Sequence, residues 1–393
     1  MKRFLFIFLL IIVTALALWF WWPSRASVPA NASLESLLVD DGQNSEGYAR
    51  ATVPGTVEFP RDLGPHEDYQ TEWWYYTGNL QTEAIDGQPG REFGYQFTIF
   101  RRALQPPNDV PEVDNPSPWR SNQLYLAHFT ISDIEDDEFY FEERFSRGGA
   151  DLAGAQAEPY RVWLEDWSAA EDASGNVRIQ ADAGDVALDI TLTETMPPVL
   201  HGDGGLSQKG PQPGNASYYY SIVQQQTSGQ LLVGEERFDV QGVSWMDHEY
   251  STSALSPGST GWDWFSLQLD DGTALMLFQI RREDGTIEPY SSGSFIGNDG
   301  KVQNLAYDAW QLEVLDTWES PASGADYPAG WRLRIPAIDL ELEGRPLMSD
   351  QELQVSTIYW EGASQFAGFL AGEPVTARGY VEMTGYAGMA PPS

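Results

Sequence analysis

Hydrophobic and polar residues alternate along much of the chain after residue 56. The pattern is clear at 95–99, 124–130 and 267–269, where every second residue is apolar or aromatic. A period of two is typical of β-strands that bury one face. Short stretches rich in Gly, Asp, Asn and Pro separate these segments, as in antiparallel sandwiches and barrels. The pattern therefore predicts an all-β protein.

The same pattern of strands occurs twice. EWWYYTG at 72–78 and FGYQFTIFRR at 93–102 are matched by GWDWFSL at 261–267 and ALMLFQIRR at 274–282. Two further pairs follow in the same order: VWLEDW at 162–167 with WQLEVLDTW at 310–318, and YYS at 219–221 plus VQGVSW at 240–245 with YWE at 359–361 plus ARGYVEM at 377–383. The period is too long for a solenoid or a propeller blade.

These four matched blocks predict a duplication. We assign an N-terminal domain to residues 56–255 and a C-terminal domain to residues 256–393. Barrels of about eight strands either fill with side chains or hold one small ligand. The sequence leaves both possibilities open.

An apolar segment precedes the first domain. Residues 4–22 follow two basic residues and, at about 1.5 Å per residue, could span a bilayer core of about 30 Å. Ala-Asn-Ala at 30–32 offers a cleavage site, so residues 1–26 are predicted to be a signal anchor or a signal peptide. Residues 27–55 are small, polar and acidic, and are predicted to form a flexible tether. We expect the protein on the periplasmic side of the inner membrane or secreted to the periplasm.

The amino-acid composition limits the kinds of partner and chemistry that can be expected. With 22 basic and 58 acidic residues, the net charge of −36 repels phosphate backbones, so no nucleic-acid partner is expected. The chain has no cysteine, which excludes disulfides and thiolate chemistry. The 15 Trp, 18 Tyr and 18 Phe residues can fill cores or line an apolar pocket.

Several motifs resemble those of one known family. They are FPRDLGPH at 59–66, TEWWYYTG at 71–78, HGDGGLS at 201–207, SYYYS at 217–221, WMDHEY at 245–250, GWDWF at 261–265 and GYVEMTGY at 379–386. Together they resemble the AttH-like family, which includes carotenoid 1,2-hydratase. The resemblance spans residues 57–390 and implies two tandem lipocalin-like antiparallel β-barrels.

It also implies a hydro-lyase chemistry. Adding water to a carbon–carbon double bond needs an acid that stays protonated, and burial can keep a carboxyl in that state. Aromatic faces can stabilise a carbocation, and a His or second carboxylate can hold the water. WMDHEY at 245–250 brings these residue types together; in a strand, Asp247 and Glu249 would share one face and His248 and Tyr250 the other.

The predicted catalytic residues are Asp247, His248, Tyr250 and Asp263. The residues predicted to bind the ligand are Glu72, Trp73, Trp74, Tyr75, Trp245, Glu249, Trp262 and Trp264. The resemblance implies roles for His248 and Tyr250, which fall where the hydratases have a His and an aromatic residue. Their Tyr-x-Asp pair aligns with residues 277–279, which read Leu-Phe-Gln and lack a carboxyl. Asp247 or Asp263 would then have to supply the acid.

The same residues also have purely structural interpretations. The Trp and Arg residues could merely close the ends of barrels, and Asp247 and Glu249 could tie a turn. The four His residues are scattered and no Gly-x-Ser-x-Gly motif occurs, so we predict no metal, no cofactor and no Ser nucleophile.

Three functions remain open. One is an enzyme that binds an apolar isoprenoid- or lipid-like ligand and hydrates a double bond. The second is a non-catalytic carrier beside an envelope transporter, and the third is a structural protein with filled barrels.

Overall fold

The structure is a computed structural model that describes residues 45–84, 87, 89–252 and 255–387. The predicted signal segment at 1–26 and the tether up to residue 44 lie outside these residues. Within them, no helix combines the length and the apolar character needed to cross a membrane. The helices of this part of the chain are short 3₁₀ turns: Arg61–Leu63, Pro107–Asp109, Gly149–Asp151, Tyr307–Ala309 and Pro336–Ile338.

The first sheet has 13 antiparallel strands. They are β1 Thr71–Gln81, β2 Glu92–Ala103, β3 Gln123–Asp133, β4 Glu138–Arg147, β5 Ala153–Gln156, β6 Arg161–Leu164, β7 Trp167–Glu171, β8 Val177–Asp182, β9 Val186–Glu194, β10 Val199–Leu200, β11 Leu206–Gln208, β12 Ala216–Val233 and β13 Glu236–Ser251. Their order is β4-β3-β2-β1-β13-β12-β9-β8-β7-β6-β5, with β10 and β11 paired to β12.

The second sheet has 10 antiparallel strands. They are β14 Ser259–Leu269, β15 Ala274–Arg282, β16 Ser292–Ile296, β17 Val302–Ala306, β18 Gln311–Glu319, β19 Asp326–Ile335, β20 Leu340–Pro346, β21 Glu352–Gln354, β22 Ile358–Leu370 and β23 Glu373–Thr384. Their order is β17-β16-β15-β14-β23-β22-β20-β19-β18, with β21 paired to β22.

The two strand orders correspond. In each sheet the first four strands form a meander, and the first strand of the meander pairs with the last strand of the sheet: β1 with β13, and β14 with β23. The two opening hairpins, β1–β2 and β14–β15, contain the repeated aromatic and Arg-Arg motifs. The prediction of an all-β protein with two tandem, lipocalin-like antiparallel barrels is confirmed.

Each sheet curls around its own core. Alternate residues point inward, and in both barrels these positions hold large side chains that pack against one another. The first core includes Trp74, Tyr76, Phe97, Phe129 and Trp167. The second includes Phe265, Leu267, Trp331, Trp360 and Phe366.

A third buried cluster lies between the barrels. The side chains of Tyr75, Tyr219 and Trp245 project from the outer face of the first sheet. They pack against Trp264 and Phe278 of the second sheet. These residues alternate along their strands with residues of the two barrel cores. The outer faces of the two sheets are therefore packed together, and strands that meet there are buried on both faces.

Candidate functional site

A cavity of about 80 Å³ opens within this third cluster, between the barrels. Both barrels line it. The first barrel contributes Trp73, Tyr75, Gln96, Phe100, Lys209, Tyr219, Asp247 and Glu249, and the second contributes Trp262, Trp264, Phe278, Ile280, Tyr359 and Glu382. Leu255, in the segment between β13 and β14, completes the lining. We call it the inter-barrel cavity. The sequence left open whether a barrel fills with side chains or holds a ligand. This cavity lies between the barrels, and large aromatic side chains pack inside both of them.

Asp247 is the most strongly hydrogen-bonded acid of this cavity. Its Oδ2 accepts a hydrogen bond from the Tyr219 hydroxyl at 2.7 Å, and its Oδ1 accepts from Trp245 Nε1 at 2.6 Å and from Ser221 Oγ. Burial raises the pKa of Asp247 to about 7, although these three hydrogen bonds favour the ionised form. Asp247 is therefore a carboxylic acid that holds or releases its proton near neutral pH.

Two further acids face the same interface from the second barrel. Glu382 lines the cavity. Burial raises its pKa to about 8, although a hydrogen bond from Trp262 acts to lower that pKa. Burial and the nearby Glu382 hold the pKa of Glu361 well above its usual range. Glu361 accepts a hydrogen bond from the Tyr75 hydroxyl at 2.5 Å. The interface thus contains two carboxyl groups with raised pKa values in addition to Asp247.

A charged pair also lines the cavity. Lys209 Nζ lies 2.8 Å from Glu249 Oε1, and the two side chains are 9% and 6% exposed. The ammonium lies 4.3 Å from the centre of the Phe278 ring and 5.2 Å from that of Tyr219. Cation–π attraction offsets part of the cost of burying this charge.

His201 lies behind Asp247. Its Nε2 is 2.6 Å from Ser221 Oγ, which in turn donates to Asp247, and its Nδ1 is 2.9 Å from Ser294 Oγ. Burial, together with the nearby Lys209, lowers the pKa of His201 to about 3. His201 is therefore neutral and orients Ser221 without adding charge to the site.

The opposite face of β13 belongs to a different network, inside the first barrel. His248 Nε2 is 2.8 Å from Glu72 Oε1, and Arg101 Nε donates to Glu72 Oε2 at 2.7 Å. His66 Nδ1 reaches the same Oε1 at 2.7 Å. Burial opposes ionisation of Glu72, but Arg101 and His66 hold its pKa well below its usual range. The ring of Tyr250 stacks on His66 with centroids 3.5 Å apart.

His66, Glu72 and His248 have the spacing of a metal site, with their ligand atoms within 4.8 Å of one another. Each of these atoms already has a hydrogen-bonding role, because both imidazoles approach one oxygen of Glu72 and Arg101 occupies the other. This donor set is satisfied as a network around a buried carboxylate. The prediction of no metal and no cofactor stays a prediction.

Asp263 lies on the inner side of the second barrel. It accepts hydrogen bonds from Gln279 Nε2 at 2.8 Å and from the Tyr386 hydroxyl at 3.0 Å, and it pairs with Arg281 at 3.2 Å. It is therefore the counterpart of Glu72 with Arg101, and it is not among the residues that line the inter-barrel cavity, where the predicted acid would have to lie.

The structure thus separates the predicted site residues. Those that line or contact the inter-barrel cavity are Trp73, Tyr75, Trp245, Asp247, Glu249, Trp262 and Trp264. Those that face the interior of a barrel are Glu72, Trp74, His248, Tyr250 and Asp263. Of the segment aligned with the hydratase Tyr-x-Asp pair, only Phe278 reaches the cavity.

Sequence reasoning missed Lys209, Tyr219, Glu361 and Glu382 as site residues. Tyr219, Glu361 and Glu382 were part of the repeated blocks, and their alternation with apolar core residues was the available signal. Lys209 follows the short strand β11 and had no such signal.

Two packed β-barrels with an acidic, aromatic cavity between them define the class of this protein. The AttH-like family model matches residues 50–386, and the chain belongs to the AttH-like family. A crystal structure of an AttH protein from Nitrosomonas europaea is 37% identical, with a TM-score of 0.75, and the match covers 86% of this chain and 99% of that one.

Two other similar proteins have names that include a reaction. Kievitone hydratase from Nectria haematococca has the same fold, with a TM-score of 0.64 at 16% identity over 86% of this chain and 96% of that one. Dehydratase asqC from Emericella nidulans is 24% identical over 220 residues. That match covers 53% of this chain and 60% of the dehydratase, which is less than two thirds of its length.

Proposed function

We propose that this protein is a hydro-lyase that adds water to, or removes water from, an apolar small molecule in the inter-barrel cavity. The observation that carries the proposal is the Asp247 carboxyl in this cavity. Its pKa is raised to about 7, and it accepts a hydrogen bond from the Tyr219 hydroxyl, which itself accepts one from Trp264 Nε1. The names of the similar hydratase and dehydratase support the same reaction class, which acts in either direction on the same bond.

Asp247 would be the general acid. In dehydration it gives its proton to the leaving hydroxyl, while a neighbouring carboxylate such as Glu249 takes a proton from the adjacent carbon. In hydration the same steps reverse: the Asp247 carboxylate takes a proton from the attacking water, and the protonated partner gives its proton to the other carbon of the double bond. General acid catalysis of this kind contributes about 10²–10⁴-fold to a rate. Glu382, with a pKa raised to about 8, would keep a second neutral carboxyl at the cavity wall.

The aromatic lining would hold the apolar body of the ligand. Trp73 and Trp262 are partly exposed side chains on the two sides of the cavity, and Trp264 and Phe278 form its buried wall. The apolar part of an isoprenoid or lipid-like molecule that enters the cavity would contact this lining. The carotenoid specificity suggested by the family resemblance has no support from an acid at 277–279, because Leu277 and Gln279 face the second barrel.

The test is isotope incorporation. The full chain is incubated in H₂¹⁸O with kievitone and with the isoprenoid alkene squalene, and products are followed by mass spectrometry. We expect a product that has gained one labelled water, with a rate about 10²–10⁴-fold lower in Asp247→Asn. Asp189→Asn, which changes an exposed carboxylate paired with Arg178, is the control. Equal rates in Asp247→Asn and wild type would overturn the proposal.

A carrier is the second candidate. It is favoured by the aromatic lining and by the missing acid at 277–279. A carrier beside an envelope transporter would co-purify with an apolar ligand and leave it unchanged for days in H₂¹⁸O at mild pH. Lipid extraction and mass spectrometry of the purified chain therefore distinguish carriage from hydration.

The place of action is part of the proposal. The apolar run at 4–22 supports export, with the barrels on the periplasmic side of the inner membrane or free in the periplasm. Protease treatment of spheroplasts should digest the barrels or release them, whereas protection from protease would place them in the cytoplasm.

A further inference from the structure

Lys209 is a buried cation at the wall of the inter-barrel cavity. Its ammonium has three N–H donors, and its side chain is 9% exposed. Nζ lies 2.8 Å from Glu249 Oε1, and the two groups form an ion pair without hydrogen-bond geometry. The rings of Phe278 and Tyr219 stabilise the charge but offer no lone pair along an N–H bond.

The position of Lys209 indicates which part of a bound ligand its N–H donors would contact. Lys209 lines the inter-barrel cavity together with Asp247 and Glu249. Asp247 and Glu249 lie two residues apart on one face of β13, so about 7 Å separates their backbone positions. A ligand that reaches Asp247 would therefore also lie beside the ammonium.

A fixed positive charge favours some intermediates over others. A tertiary carbocation beside Lys209 would be repelled, and an enolate oxygen would be attracted and hydrogen-bonded. Preorganised donors aimed at a developing oxyanion are among the largest contributions to enzymatic rates.

We propose that the substrate carries a carbonyl group next to the reacting bond, and that Lys209 binds its oxygen as the oxyanion forms. The reacting pair is then a β-hydroxy carbonyl compound and the corresponding α,β-unsaturated carbonyl compound. This inference rests on the proposed hydro-lyase function and names its substrate class.

The proton and electron movements balance. In dehydration, the Glu249 carboxylate takes the proton from the α-carbon, and the C–H electron pair forms the enolate. The enolate oxygen replaces Glu249 as the anionic partner of Lys209. The C–O bond at the β-carbon then breaks, its electron pair goes to the hydroxyl oxygen, and Asp247 donates the proton that completes water. The proton on Glu249 returns to Asp247 through the released water, so both groups regain their starting states.

The test compares two ligands of the same shape. Benzalacetone is an α,β-unsaturated ketone, and its methylene analogue has CH₂ in place of the carbonyl oxygen. Binding to the full chain is followed by quenching of Trp fluorescence. We expect Lys209→Met to weaken benzalacetone by about tenfold to a hundredfold and the analogue by less than about twofold. Lys301→Met, which removes an exposed lysine, is the control.

A second readout does not depend on turnover. The chain contains three lysines, Lys2, Lys209 and Lys301, so lysine labelled with ¹³C at Cε gives three assignable NMR signals. Benzalacetone should shift the Lys209 signal, and the analogue should not. Equal weakening of both ligands in Lys209→Met, an unshifted Lys209 signal, or failure of benzalacetone to bind overturns this inference.

The outcomes also separate the two proposals. If Lys209→Met is neutral while Asp247→Asn abolishes water exchange, the hydro-lyase stands and the carbonyl substrate does not. If Asp247→Asn leaves water exchange unchanged, the hydro-lyase itself is overturned.

Discussion

Asp247 and His248 are consecutive in the chain, and their side chains belong to different sites. Asp247 lines the cavity between the barrels, where three hydrogen-bond donors surround it. His248 faces the interior of the first barrel and bonds to Glu72. The period of two in strand β13 separates the two side chains, so a motif that looked like one constellation contains an acid and part of a buried scaffold.

The first prediction concerns the pH dependence of activity. Asp247 acts as an acid only while protonated, so dehydration should fall as pH rises through about 7. Ser221→Ala removes a hydrogen bond that favours the ionised carboxylate, which raises the pKa of Asp247 further. The falling limb should then move upward by about one pH unit. A limb that moves downward in Ser221→Ala would contradict the role of Asp247.

The same carboxyl should affect folding stability. Its pKa is raised from 3.8 to about 7 on folding. Between about pH 4 and 7 the native state therefore binds a proton that the unfolded chain has released, and stability declines as pH rises across this window. Asp247→Asn should lose this component, so its urea-denaturation free energies at pH 5 and pH 8 should differ less than those of wild type. An unchanged difference would show that Asp247 ionises normally.

Arg101 should be essential for stability. It is fully buried with Glu72, and it also donates to Gln123 and to the backbone carbonyls of His66 and Tyr69. Arg101→Met should cost about 3–5 kcal/mol of unfolding free energy, because it leaves Glu72 buried and incompletely paired. Arg178→Met, which breaks an exposed pair with Asp189, should cost less than about 1 kcal/mol. Similar losses in the two variants would contradict this assignment.

His248 should affect stability more than ligand binding. His248→Ala removes the contacts to Glu72 and to the Tyr220 hydroxyl, at a cost of about 1–3 kcal/mol. Its side chain does not line the inter-barrel cavity, so the affinity for benzalacetone should change by less than about threefold, as judged by fluorescence titration. A large loss of affinity without a loss of stability would contradict this prediction and show that His248 contributes to ligand binding.

Much of the fold could be predicted from the sequence. The repeated motifs identified the two opening hairpins, and alternation predicted that Asp247 and Glu249 share a face of one strand. The sequence did not reveal which face meets which neighbour. In β1 the residues Trp73–Tyr76 are aromatic on both faces, because one face packs in the barrel core and the other against the second barrel.

The remaining site residues depend on long-range packing. Glu361 and Glu382 reach the interface only because the outer face of the second sheet packs against that of the first, and the sequence has no local mark of this contact. Lys209 comes from a connection without alternation and approaches Glu249 through the fold. Local patterns could therefore place Glu361 and Glu382 on one face of their strands but could not show what packs against that face, and they gave no signal for Lys209.

The protonation of Asp247 is the most direct test of a cavity acid between the barrels. A pH titration of its ¹³Cγ NMR signal, assigned by the loss of that signal in Asp247→Asn, measures it in the intact chain. We predict a midpoint near 7. A midpoint near the ordinary value of 3.8 would mean that Asp247 is ionised at neutral pH and cannot be the acid.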